Sequence, residues 1–159
     1  MAGHKSEGLR DAILTVGVAV STMLTGCASL TGGSTGIVDG QLHPCPPGPH
    51  CVSSDETRVD YRISALKTAS DADAVWRALR AYVIALPRTE VVDQQTDYLH
   101  LTSTSRWLRF TDDVEFLLRK KRGEIAMRSS SRVGYYDFGV NRERLESIRT
   151  ALRAQKLVE

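Results

Sequence analysis

Hydrophobic and polar positions alternate with two different periods along the second half of the chain. Arg58-Val59-Asp60-Tyr61-Arg62-Ile63 alternates residue by residue and is expected to form a strand. Ala72, Trp76, Leu79, Val83 and Leu86 then recur at helical spacing. Ser70 and Asp71 stand where a cap belongs, with Asp73 as capping-box partner of Ser70, and Pro87 ends the run. Four further strands are expected over 89–93, 97–103, 113–118 and 124–129. In the second, Leu99 and Leu101 share one face while Tyr98, His100 and Thr102 share the other. Val114, Phe116 and Leu118, then Ile125 and Met127, supply the buried faces of the last two. Gln95-Thr96-Asp97 and Lys120-Lys121-Arg122-Gly123 read as turns, with Gly123 free to take the positive φ that a short hairpin needs. A final helix is expected to be capped by Asn141 and to bury Leu145, Ile148 and Leu152, with Arg153 and Lys156 near its negative end. The order strand, helix, four strands, helix defines an α+β domain: an antiparallel sheet with helices on one face. No internal repeat is visible.

Parity narrows the register of the last hairpin. A four-residue connection at 120–123 sets Leu118 opposite Ile125, which sets Glu115 opposite Arg128 and Asp113 opposite Ser130. All four of these polar residues then lie on the face away from the helices, which is expected to meet solvent.

The first half of the chain has a different character. Residues 1–11 are polar and carry Lys5 and Arg10, and Ala12 to Leu24 is apolar and uncharged. That run is short of the about 20 residues a membrane span needs, and the arrangement is that of an export signal over 1–26. Leu24-Thr25-Gly26-Cys27 resembles the bacterial lipobox. The resemblance implies diacylation of the Cys27 thiol, cleavage before it and acylation of the new amino terminus. Ala28 after the cysteine, by resemblance to Gram-negative lipoproteins, implies the outer membrane. The expected location is therefore the cell envelope, lipid-anchored on the periplasmic face of the outer membrane. Residues 27–43 are rich in Gly, Ser and Thr and read as a flexible linker, leaving 44–159 as the single folded domain.

With 159 residues, 42% hydrophobic and 25% charged, the composition is that of a globular protein. The net charge of +2 gives no basic stripe of the kind nucleic acid requires. Partners are expected instead to be the membrane through the lipid anchor, and an envelope protein or a small anionic ligand. No cofactor is implied.

Once Cys27 is assigned to lipid, Cys45 and Cys51 remain. In an oxidising compartment they are expected to form a disulfide, and the intervening prolines and Gly48 allow the tight turn it needs. Two alternatives stay open: a pair of free thiols, or a metal site built from His43, Cys45, His50 and Cys51, although zinc sites usually use shorter cysteine spacing.

Function is expected in the stretch 128–142, a polar, glycine-punctuated segment between a strand and a helix. Arg128, Arg132 and Arg142, with Arg109 and Asn141 nearby, are candidates for anion or ligand binding, because a guanidinium fork matches a carboxylate or phosphate. Asp112, Asp113, Glu115 and Asp137 form a candidate acidic network. If the loop folds back, three arginines meet three carboxylates, either as a self-satisfied network or as a site with one arginine to spare. Catalysis has little support. Ser129-Ser130-Ser131 is not a nucleophile elbow, Asp112 and Asp113 point to opposite faces, and His100 stands alone on its strand. No catalytic residue is therefore assigned. A non-catalytic binding or assembly module is the expected function, with an envelope enzyme using the Asp/Glu/Arg constellation as the alternative.

Three runs together, Pro44-Cys45-Pro46 with Cys51-Val52-Ser53-Ser54, Arg109 through Phe116, and Arg128 through Arg142, resemble the domain of unknown function 1499 family. The resemblance extends over about 42–152, and His50 departs from the family's usual Asn. It implies a bacterial envelope protein or a plastid-targeted plant protein, and it implies no activity.

Overall fold

The computed structural model describes Met1 and residues 34–159. The strands are β1 (Ile37–Val38), β2 (Gln41–Leu42), β3 (Cys51–Ser53), β4 (Leu66–Lys67), β5 (Thr89–Gln94), β6 (Tyr98–Thr104), β7 (Thr111–Arg119) and β8 (Glu124–Ser131). The helices are α1 (Ala72–Ile84) and α2 (Val140–Ala154). Five strands form the path β3-β8-β7-β6-β5, every pair antiparallel, and β4 shares the outer edge of β8 with β3. The fold is thus α+β, with both helices on one side of an antiparallel sheet.

The long hairpin has the register that parity demands: Leu118 lies opposite Ile125, Glu115 opposite Arg128 and Asp113 opposite Ser130. Gly123 closes it with φ of 57°. On the helix side, Leu99, Leu101, Val114, Phe116, Leu118, Ile125 and Met127 meet Trp76, Leu79 and Val83 of α1 and Leu145, Ile148 and Leu152 of α2 in one core. Each of these side chains is essentially withdrawn from water, worth about 1.5–3 kcal/mol for a large aliphatic or aromatic group.

Several local expectations are corrected. Residues 58–63 are not a strand; Val59–Tyr61 is a single 3-10 turn with Val59 exposed. Arg58 stacks on Tyr61, 4.1 Å from the ring centroid, and donates to the Cys45 carbonyl, so the alternation reflects a local side-chain cluster. The strand preceding α1 is β4 instead. The cap of α1 is Asp71, whose carboxylate accepts from the Ala74 N–H, and not Ser70. Helix α2 begins two residues earlier than a cap at Asn141 implied, with Gly139 at its cap in the left-handed region, φ 81°.

The largest difference concerns the second face of the sheet. Ile37–Leu42 folds as a two-stranded hairpin and lies across it as a strap. Leu42 joins Tyr98, Leu117 and Ala126 in a small second core. The Gly36 N–H donates to Glu115 Oε1 at 2.6 Å, Leu42 N–H donates to Asp55, and Arg119 donates to the Gly40 carbonyl. From residue 34 onward, then, the stretch read as a flexible linker is ordered, and the face expected to meet solvent is covered.

Candidate functional site

Covering that face turns its charges into an interior network. Glu115 and Arg128 are both 0% exposed, and Arg128 Nη1 donates to Glu115 Oε2 at 2.5 Å. The other carboxylate oxygen accepts from the Tyr98 hydroxyl at 2.7 Å as well as from Gly36. Burial, together with the neighbouring carboxylate, pushes the Tyr98 phenol far above its ordinary pKa. Arg128 Nε and Nη2 and the Ser130 hydroxyl are buried without a protein partner among the described residues.

One strand-step away, Asp113 bonds His100 Nε2 at 2.7 Å and accepts from Arg132 Nε and Nη2 at 3.0 and 2.7 Å. Burial alone would raise the Asp113 pKa, but His100 and Arg132 outweigh it and hold it below the ordinary range. His100 is therefore not alone: its register opposite Glu115 brings it diagonally to Asp113. Cross-strand diagonals carry that signal, but only once the register is known.

The opposite face of the same strands holds the remaining polar group. Asp112, adjacent to Asp113 in sequence and reversed in direction, accepts from Arg144 Nη2 at 2.6 Å. Arg144 also donates to Ser129 Oγ and Asn141 Oδ1. The Asn141 amide donates to the His50 carbonyl, Ser131 Oγ and Asp137 Oδ2. Asn141 is thus fully occupied in joining α2 to β8 and to the loop before β3. Arg144 was not among the sequence candidates. Its signal is the spacing of three from Asn141, which puts both on one helix face.

The expected convergence of three arginines is accordingly incomplete. Arg128 with Glu115 and Arg132 with Asp113 do share the strap-covered face. Arg142 does not join them; the start of α2 carries it to the flank, where it donates to the Asp60 carbonyl. Asp137 does not join either, because its carboxylate caps the Gly139 and Asn141 N–H groups. Arg109 lies exposed on the loop ahead of β7 with φ of 53°. Cys27 lies outside the described residues.

Cys45 and Cys51 form a disulfide, with their Cα atoms 5.7 Å apart. The bond uses both sulfurs of the alternative metal set. His43 is directed to the Pro44 carbonyl and His50 to that of Tyr135, and no group of three potential ligands occurs among the described residues.

A second feature was not anticipated. At the end of the sheet where β7 begins and β8 ends, the loops 105–110 and 132–139 project side by side. They expose Trp107 (82%), Leu108, Phe110, Val133, Tyr136 and Phe138 (86%) around a cleft of about 300 Å³, while Tyr135, also exposed, is turned toward Gly48. The backbone beneath is tied down. Ser105 N–H donates to the Phe110 carbonyl, Phe110 N–H to Ser105 Oγ, and Arg132 N–H to the Thr111 carbonyl. Tyr136 and Phe138 pack edge to face, 5.0 Å apart. Monomeric proteins rarely leave contiguous apolar patches of this kind open, and where they do a contact site is the usual reason.

The fold and these two features define a small α+β module: an ion-paired sheet whose central strands are covered on both faces and which presents apolar loops at one end. Residues 41–152 match the family described as Protein of unknown function (DUF1499), and the chain belongs to that family. No match was found among curated proteins or among solved structures.

Proposed function

We propose that the protein is a lipid-anchored component of the cell envelope, held by Cys27 at the outer membrane, whose domain is a non-catalytic binding or assembly module. The observation that carries the binding reading is the exposed aromatic end, set on a framework that holds it in place. The carboxylates that an enzyme would use support the same reading. Glu115 is sealed against Arg128, Asp113 is held by His100 and Arg132, and Asp112 is held by Arg144. A general acid or base must reach its substrate's proton, and each of these groups is bound to a fixed partner.

Mass spectrometry of the membrane fraction tests the anchor. The expected amino-terminal peptide begins at acylated Cys27, and a Cys27→Ser protein still processed and membrane-bound in the same way refutes it.

A further inference from the structure

We infer that the aromatic loops contact the bilayer to which the protein is anchored, inserting Trp107, Leu108 and Phe138 at the interface between headgroups and acyl chains. The geometry rests on the Cys27 anchor proposed above. The strap fixes where the chain enters the domain. Its turn lies at Arg119, through the Gly40 carbonyl, and its open end lies over Glu115, toward the start of β7. From Cys27 to residue 34 the chain can extend at most about 25 Å. The strip of β7 from Glu115 to Thr111 is roughly 14 Å long at strand spacing. The loop tips are therefore within reach of a membrane holding Cys27, and the tether keeps that membrane at high effective concentration whatever else is present.

Chemistry then selects which end turns down. Loop 105–110 carries Arg106 and Arg109 and no acidic residue. In loop 132–139 the single carboxylate, Asp137, is consumed by backbone N–H groups. Exposed aromatic rings beside unneutralised arginines suit the interface of an anionic bilayer. The opposite end of the sheet offers Lys120-Lys121-Arg122 but no exposed large apolar side chain among residues 119–124. Lys120 is also paired with Asp73. That end can be drawn to phosphate but sets no aromatic ring at the surface, only the half-exposed aliphatic Val38 of the strap beside it.

The two tryptophans allow a direct test. Trp76 is buried, with its indole N–H donating to the Thr96 carbonyl, whereas Trp107 is open. Full-length protein is reconstituted into phosphatidylethanolamine–phosphatidylglycerol vesicles whose acyl chains are brominated. The expected result is loss of the Trp107 emission, with none in Trp107→Phe, where only Trp76 remains. Phe138→Ser with Leu108→Ser should restore the emission, and Lys120→Gln with Lys121→Gln should leave it quenched. Emission unaffected by brominated lipid overturns the proposal. So does a Trp107 shielded from acrylamide yet unquenched by lipid, the signature of a protein partner or second copy on the loops. The mass of the amino-terminal peptide is measured on the same sample. Quenching with unmodified Cys27 overturns the anchor alone, and acylated Cys27 without quenching overturns the loop contact alone.

Discussion

Replacing Arg128 with methionine removes the guanidinium and leaves the Glu115 carboxylate in a site of 0% exposure, with only the Tyr98 hydroxyl and the Gly36 N–H as partners. Breaking a buried pair by deleting one member costs about 3–5 kcal/mol, since the surviving charge has lost its counterion but not its burial. Against a typical margin of about 5–15 kcal/mol, that is a large share of the fold's stability. A domain of this size loses about 4 °C per kcal/mol, so the melting temperature should fall by on the order of 10–20 °C. The second arm is Arg128→Met combined with Glu115→Leu. This variant leaves no charge at that site, and it also removes the unpartnered Nε and Nη2 of Arg128. Its remaining cost is the lost acceptor for the buried Tyr98 hydroxyl, about 1–3 kcal/mol, since Gly36 is part-exposed and its N–H can turn to water. Thermal and urea unfolding followed by circular dichroism measure both, with an unchanged m-value required for a clean comparison. A double variant as unstable as the single one refutes the reasoning, as does a single variant that loses less than about 1 kcal/mol, because an exposed pair behaves that way.

Asn141→Ala should cost about 2–4 kcal/mol through several unmade buried bonds, read by urea unfolding; a near-neutral variant would show that α2 docks without it. The carboxylates' contribution to stability should be complete above about pH 5 and fall below about pH 4. Burial raises the pKa of Asp113 and Glu124, but His100 and Arg132 on the first, and Lys67 and Arg119 on the second, hold both below their ordinary 3.8 and 4.5. Arg58 holds Glu56 down to about 2. Depressed carboxylates lend stability that is complete above their ordinary pKa and lost as pH falls through the folded values, so Glu124→Gln should flatten the slope, and pH-independent unfolding between 5 and 2 contradicts it. Opening the Cys45–Cys51 loop by Cys45→Ser with Cys51→Ser should cost about 2 kcal/mol from the loop length alone; an unchanged urea midpoint would mean that the prolines already impose the turn.

The parts of this fold legible in the sequence are those whose information is local or periodic. The stripe of α1 survives because it buries one side against a single core, and the alternation of β6 because Leu99 and Leu101 face that core while Tyr98, His100 and Thr102 face the other way. The β7–β8 register survives because slipping it by one would turn Phe116 or Met127 out of the helix-side core and onto the charged face. The strands β3 and β4 were hidden by their length: Cys51–Ser53 and Leu66–Lys67 are too short for alternation to show. The burial of Glu115 and Arg128 was hidden for a different reason. It depends on the strap, and Ile37, Val38 and Leu42 amid glycines look like a tether until the face they cover is known. The aromatic end was visible as residues but not as a patch, since residues 107–110 and 133–138 meet only after the strands between them are aligned.

The strap also gives the domain a mechanical polarity. A pull on the chain upstream of residue 34 does not load the six-stranded sheet directly. It arrives first at the Gly36–Glu115 bond and at the Ile37–Leu42 and Val38–Gln41 pairs, a hairpin of two residues a side. These contacts would be peeled in sequence instead of sheared together, so the strap would yield at low force while the sheet stayed intact. Yielding would uncover Glu115, Arg128 and the apolar surface of Leu117 and Ala126, and tension on the tether would thereby become a chemical change on the face of the domain.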